Sequence, residues 1–141
     1  MDDTLPTRLR LEIVTPDREV VRESVLAVSV PGKEGYLGIL PGHAPLLSEL
    51  RPGEMSYTRD AVTRYLAVSW GFVEVLPDRV IVLAETGERA EEIDVSRAER
   101  ARKKAEERLG MLGDSGIDRA RAQRALDRAM ARLAAAAQVK K

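Results

Sequence analysis

The first half of the chain alternates. Leu9, Leu11 and Ile13 are separated by Arg10 and Glu12, the period of two that marks a half-buried β-strand. Thr15-Pro16-Asp17-Arg18 has turn composition, and Glu19-Val20-Val21-Arg22 resumes extended chain. Val25–Val30 and Tyr36–Leu40 are β-former stretches closed by Pro31-Gly32 and Pro41-Gly42. Glu54–Thr58 and Thr63–Ser69 flank a hairpin turn at Arg59-Asp60-Ala61. Phe72–Val75 and Val80–Leu83 flank a second one at Leu76-Pro77-Asp78-Arg79. Short strands at this spacing predict an antiparallel β-sandwich or barrel over residues 1–87.

Beyond Gly87 the period lengthens. Asp94 is placed to cap a helix whose apolar face is Ala98, Ala101, Ala105, Leu109 and Leu112, spaced 3-4-4-3. Gly110, Gly113 and Gly116 interrupt it. Asp118 opens a second helix with Ala122, Ala125/Leu126, Ala129, Leu133 and Ala136/Ala137 on one face. A short linker makes the two antiparallel, so residues 88–141 read as a helical hairpin, and the fold class is β + α. The seam is mostly alanine, which buries little apolar surface, so this unit is expected to undock or extend easily.

Composition sharpens the division. Residues 1–87 hold all seven prolines, all five aromatics, and nine Lys/Arg against thirteen Asp/Glu. The remainder holds 13 of the 18 alanines and fourteen Lys/Arg against ten Asp/Glu. No apolar run exceeds five residues, against the roughly 20 of a membrane helix. The acidic start, Met1-Asp2-Asp3, lacks the apolar stretch of a secretory signal. Without cysteine there is no disulfide framework or thiolate chemistry, and a lone His43 makes a histidine metal site or Ser-His triad a poor expectation. No Gly-Lys-Ser/Thr or GxGxxG is present. These absences point away from an enzyme. Two cation rows stand out: Arg97, Arg100, Lys104 and Arg108, then Arg121, Arg124, Arg128 and Arg132. Each shares one helix face. They are either solvated faces balanced by nearby glutamates, or an anion-binding surface for an acidic protein segment or a phosphate. The lack of aromatics beside them argues against single-stranded nucleic acid.

Three stretches carry a resemblance. Gly35-Tyr36-Leu37-Gly38-Ile39-Leu40-Pro41-Gly42-His43-Ala44-Pro45-Leu46-Leu47, with Leu50, Pro52 and Gly53 after it, resembles the signature of the epsilon subunits of bacterial F-type ATP synthases. Gly71–Val75 with Val80–Ala84, and Ile93-Asp94-Val95-Ser96-Arg97-Ala98, resemble that family's next blocks. The resemblance implies a central-stalk rotor subunit, peripheral on the cytoplasmic face of the cell inner membrane. It would be fixed to the gamma subunit and rest on the c-ring, coupling ion-driven rotation to ATP synthesis, with catalysis in other subunits. It also implies C-terminal helices that permit turnover when folded down and restrain ATP hydrolysis when extended towards the beta and alpha subunits. Leu40, His43, Leu46 and Leu47 then fall on a partner face, and Arg121, Arg124 and Arg128 face the catalytic head. No cofactor is required. A regulatory ATP, as some bacterial members bind, would correspond to Glu88, Ile93, Asp94, Arg97, Ala98, Lys104, Arg128 and Arg132. Two residues depart from the pattern: Lys104 stands where arginine is expected, without its planar fork, and Trp70 where glycine is usual. The alternative, on pattern alone, is a free-standing module presenting a basic hairpin to an acidic partner.

Overall fold

A computed structural model describes residues 5–111 and 116–139. Eight strands come first: β1 (Leu9–Val14), β2 (Glu19–Val25), β3 (Ala27–Gly32), β4 (Gly35–Ile39), β5 (Leu46–Leu50), β6 (Gly53–Arg59), β7 (Val62–Leu76) and β8 (Arg79–Arg89). A single 3₁₀ turn, Ala90–Glu92, leads into α1 (Val95–Met111) and α2 (Gly116–Val139). The strands form a β-sandwich. Its pairings are antiparallel except that β1 lies parallel to β8. Alternate residues of β1, β6 and β8 point inward, so Leu9, Leu11, Ile13, Met55, Tyr57, Val80 and Val82 are buried in one core with Leu66, Val68, Val73 and Val75 of β7.

β7 is the organising strand. The sequence reads it as two, Thr63–Ser69 and Phe72–Val75, but it is one strand of 15 residues with a bend between. Its first half pairs with β6 and its second with β5, while β8 follows both. The bend falls at Trp70 (φ +47°) and Gly71 (φ +125°). Only glycine fits the second position, where a Cβ would lie 1.9 Å from the Leu83 carbonyl oxygen. The expected Val25–Val30 stretch is also divided, at Leu26, whose amide bonds to the Thr58 carbonyl. Pro31-Gly32, read as a terminator, continues β3. β5 has no counterpart in the sequence reading. β8 runs two residues past Gly87, where the boundary between domains was placed.

Asp94 caps α1: its Oδ1 accepts the Arg97 amide at 3.1 Å. Ala98, Ala105, Ala122 and Ala129 are buried where the helices meet, as the spacing predicts, while Leu112 and Gly113 lie outside the described residues. α2, rather than α1, is laid on the sandwich, against β6, β7 and the 3₁₀ turn. Ala131, Ala135 and Ala136 close there on Ala67, Ala90 and Ile93, with Tyr65 and Val95 at the margin. Alanines on both sides let helix and strand approach closely.

Candidate functional site

The hairpin and the sandwich enclose a cleft of about 460 Å³. Its floor is β7 from Ala67 to Ser69 and β8 from Glu85 to Glu88; Thr15, Asp17 and Arg18 close one side, and Ala101, Ala125, Arg128, Ala129, Ala131 and Arg132 the other. The small helical residues leave the volume, and three guanidinium groups face three carboxylates within it. Glu88 takes Arg132 in a two-pronged grip: Nε donates to Oε1 at 2.8 Å and a terminal nitrogen to Oε2 at 3.3 Å. Both are only partly exposed, the setting in which an Arg–carboxylate fork is worth more than a surface pair.

Two turns earlier, Arg124 donates to Glu85 Oε1 at 3.1 Å while its guanidinium lies over the Trp70 ring, 3.7 Å from the centroid. Arg128 approaches the same ring at 5.6 Å. Near the end of α2, Gln138 donates to Glu54 on β6 at 3.3 Å. Arg124, Arg128 and Arg132 thus fasten three successive turns of α2 to β7 and β8, and Arg121 at the head of the row is exposed.

Of the residues expected to hold a nucleotide, the fold brings Glu88, Arg128 and Arg132 together in the cleft. Ile93 and Ala98 are buried in the packing around it, and Asp94 is engaged as the helix cap. Arg97 and Lys104 are exposed and stand outside the cleft lining. Sequence reasoning missed Glu85, and it marked Trp70 as out of place without naming the cation it meets. A lone tryptophan before a glycine was the available signal.

A second surface uses the other half of β7. Leu47, Phe72 and Leu83 are 69%, 50% and 54% exposed. Phe72 pairs with Leu83 on β8 and with Glu49 on β5, while Leu47 pairs with Glu74, so the three share one outward face. Leu40, 63% exposed, lies beyond β4, where its carbonyl accepts the His43 amide at 3.1 Å. Leu46 is 37% exposed. His43 is half-buried, its Nδ1 2.7 Å from the Ala44 carbonyl oxygen. Sequence reading found the leucines but not Phe72 or Leu83.

A partly buried polar cluster joins β2, β6 and β8. Tyr57, 1% exposed, donates to Glu23 at 2.8 Å, and Arg59 donates to the same carboxylate at 2.9 Å. Arg89 reaches the Tyr57 hydroxyl and the Val20 carbonyl. Burial by itself would raise the Glu23 pKa. The hydrogen bonds from Tyr57 and Arg59, with the charges of Arg59 and Arg89, outweigh it and hold the carboxyl below its ordinary range.

Fold and surfaces define a class: a β-sandwich with an open apolar face, carrying a helical hairpin docked through arginines. The family model described as the beta-sandwich domain of the ATP synthase delta/epsilon chain matches residues 8–90, and that of its long alpha-helix domain matches residues 91–137. The chain is 61% identical over 102 residues to an ATP synthase epsilon chain of Koribacter versatilis, covering 72% of each. It is 49% identical over 132 residues to that of Solibacter usitatus, covering 94% of this chain and 98% of the relative. The chain belongs to the ATP synthase delta/epsilon chain family. Its fold matches a chain in the Euglena gracilis mitochondrial ATP synthase, OSCP/F1/c-ring, with a TM-score of 0.81 and 21% identity, covering 99% of this chain and 85% of that one. A chain of the Tetrahymena thermophila mitochondrial ATP synthase central stalk and c-ring matches with a TM-score of 0.65 and 15% identity, covering 94% and 99%.

Proposed function

We propose that this chain is a central-stalk rotor subunit of an F-type ATP synthase, coupling ion-driven rotation to ATP synthesis and restraining ATP hydrolysis when its hairpin leaves the sandwich. The observation that carries the reading is the division of labour along β7. Its Tyr65–Trp70 half takes the hairpin, while its Phe72–Leu76 half carries an exposed apolar face of the kind that marks a protein interface. That face, with Leu40, Leu46, Leu47 and His43, is assigned to the gamma subunit, and the foot of the sandwich to the c-ring. Catalysis is assigned to other subunits, and the chain to the cytoplasmic face of the inner membrane as a peripheral component. Among the described residues no helix is long and apolar enough to cross a membrane. Co-expression with gamma tests the assignment: the wild type is expected to copurify as one complex, and Leu47→Asp with Phe72→Asp to reduce recovery roughly tenfold, about the loss that two central apolar contacts carry. A wild type recovered free of gamma contradicts it.

Undocked, α2 presents Arg121, Arg124 and Arg128 to the beta and alpha subunits, with an acidic segment of beta as the target. A regulatory ATP in the cleft is supported by its volume, since 460 Å³ suits a small-molecule site, and by Arg128 and Arg132, which suit a triphosphate. Glu88 must yield Arg132 for the phosphates to enter. A ligand bound only to the docked state would stabilise it by about 2.7 kcal/mol at 100-fold over Kd. Arg132→Ala is expected to abolish an ATP-dependent rise in melting temperature. A wild type with no rise at millimolar ATP removes the site.

A further inference from the structure

We propose that Trp70 is a latch that holds the hairpin on the sandwich without any nucleotide, by stacking its indole face on the Arg124 guanidinium. The proposal rests on the reading of the hairpin as a unit that docks and undocks. Among the described residues only Asp60 and Trp70 are non-glycine residues with positive φ. A bulky side chain in left-handed backbone is a genuine outlier. Asp60 sits in a hairpin turn, where such residues are common. Trp70 does not: it lies within β7, beside Gly71, and its ring meets α2.

The geometry of the contact explains why the strained position is kept. The guanidinium carbon of Arg124 is 3.7 Å from the ring centroid, so the cation sits over the π-face. Its free edge donates to Glu85 Oε1 at 3.1 Å. Trp70 and Glu85 face each other between the register pairs Ser69–Thr86 and Gly71–Ala84, so both partners of the cation come from one cross-strand position. An exposed ion pair alone would be weak. The indole fixes the cation from a second direction and shields one side of it from water. Arg128, four residues on, meets the same ring at 5.6 Å.

The apolar part of the interface gives this contact leverage. It consists of alanines, Ile93 and the margins of Tyr65 and Val95, which bury little area for a helix of 24 residues. Polar fastening on successive turns therefore sets the docking equilibrium. The latch also covers Arg124 and Arg128, two of the cations that an undocked α2 would display. Glycine at position 70 would relax the backbone and remove the stack together.

Hydrogen exchange on the full chain, read by mass spectrometry over residues 122–136, tests the latch. Trp70→Gly and Arg124→Ala are each expected to speed exchange there roughly two- to fivefold, the factor for one half-exposed cation–π contact. The double variant should fall short of the product of the two, because both remove the Trp70–Arg124 contact, although Arg124→Ala also removes the Glu85 pair and Trp70→Gly the Arg128 contact. Residues 9–14 should be unchanged, which shows that the sandwich is intact; Arg124→Ala leaves the sandwich sequence untouched should Trp70→Gly fail to fold. Wild-type exchange in α2 of either variant, or effects that multiply, would overturn the latch. Exchange is read without partner subunits, so the two readings separate: fast exchange with unaltered hydrolysis in the assembled complex upholds the latch and removes the hydrolysis switch.

Discussion

Glu23 illustrates how a single residue can join distant parts of this chain. Its carboxylate accepts from Tyr57 and Arg59 and lies 3.9 Å from Arg89, gathering β2, β6 and β8 at one point. Because the folded state holds its pKa below the unfolded value of about 4.3, the network adds stability that is fully present above that pH. The contribution is lost as pH falls from there through the lower folded value. Urea unfolding of Glu23→Gln against wild type is expected to show a deficit at pH 7 that shrinks below pH 4; a deficit independent of pH contradicts the charged role. None of this was legible in sequence, since Tyr57 and Glu23 are 34 residues apart and no periodicity links them. Trp70 was noticed for the opposite reason, as a residue out of place, and only the φ of +47° and the ring's position under Arg124 explain it. Among the expected nucleotide contacts, Glu88, Arg128 and Arg132 converge because helical spacing and the end of β8 place them. Arg97 and Lys104 lie on a face of α1 that turns outward, and pattern alone does not orient that helix against its neighbours.

At the level of elements, strands with strict alternation were readable and those without it were not. β5 begins with Leu46-Leu47, two adjacent leucines that break the period, and it is made a strand by its pairing from Leu46–Val75 to Leu50–Gly71. The helices were readable in extent, but only one of the two buried faces of α2 was. Ala134–Ala137 is a run of alanines, and a residue found on every side of a helix marks none of them. The face formed by Ala131 and Ala135, which docks on the sandwich, is visible only once Ala67 and Ala90 lie beneath it. The end of β8 has a consequence for truncation. A chain ending at Gly87 loses Arg89 and with it the bonds to Tyr57 and Val20, whereas one ending at Glu92 keeps them. Losing one partner from a part-buried network costs about 1–3 kcal/mol, and each kcal/mol moves the melt of a domain this size by roughly 4–8 °C. The chain ending at Glu92 is expected to melt within a few degrees of the full-length sandwich and the shorter one roughly 4–24 °C lower; equal melts would show that Arg89 contributes nothing.

The whole molecule has two working surfaces joined by one strand: an apolar face left open at Leu47, Phe72 and Leu83, and a docked hairpin that engages Arg124 and Arg132 with Glu85 and Glu88. A rotor subunit that also restrains hydrolysis needs this arrangement, because its hold on gamma must persist while the hairpin moves. The natural absence of cysteine allows the movement to be blocked at one chosen place. Glu54 and Gln138 meet at 3.3 Å across the interface of β6 and α2. With both changed to cysteine and joined by a short bismaleimide, the hairpin is held on the sandwich, while the hold on gamma is untouched. The decisive measurement is ATP hydrolysis by the reconstituted catalytic complex carrying the cross-linked protein, compared with the same protein alkylated without a cross-link. The predicted result is faster hydrolysis with the locked hairpin, rising to the rate given by the chain ending at Glu92; identical rates for locked, unlocked and truncated forms would contradict it.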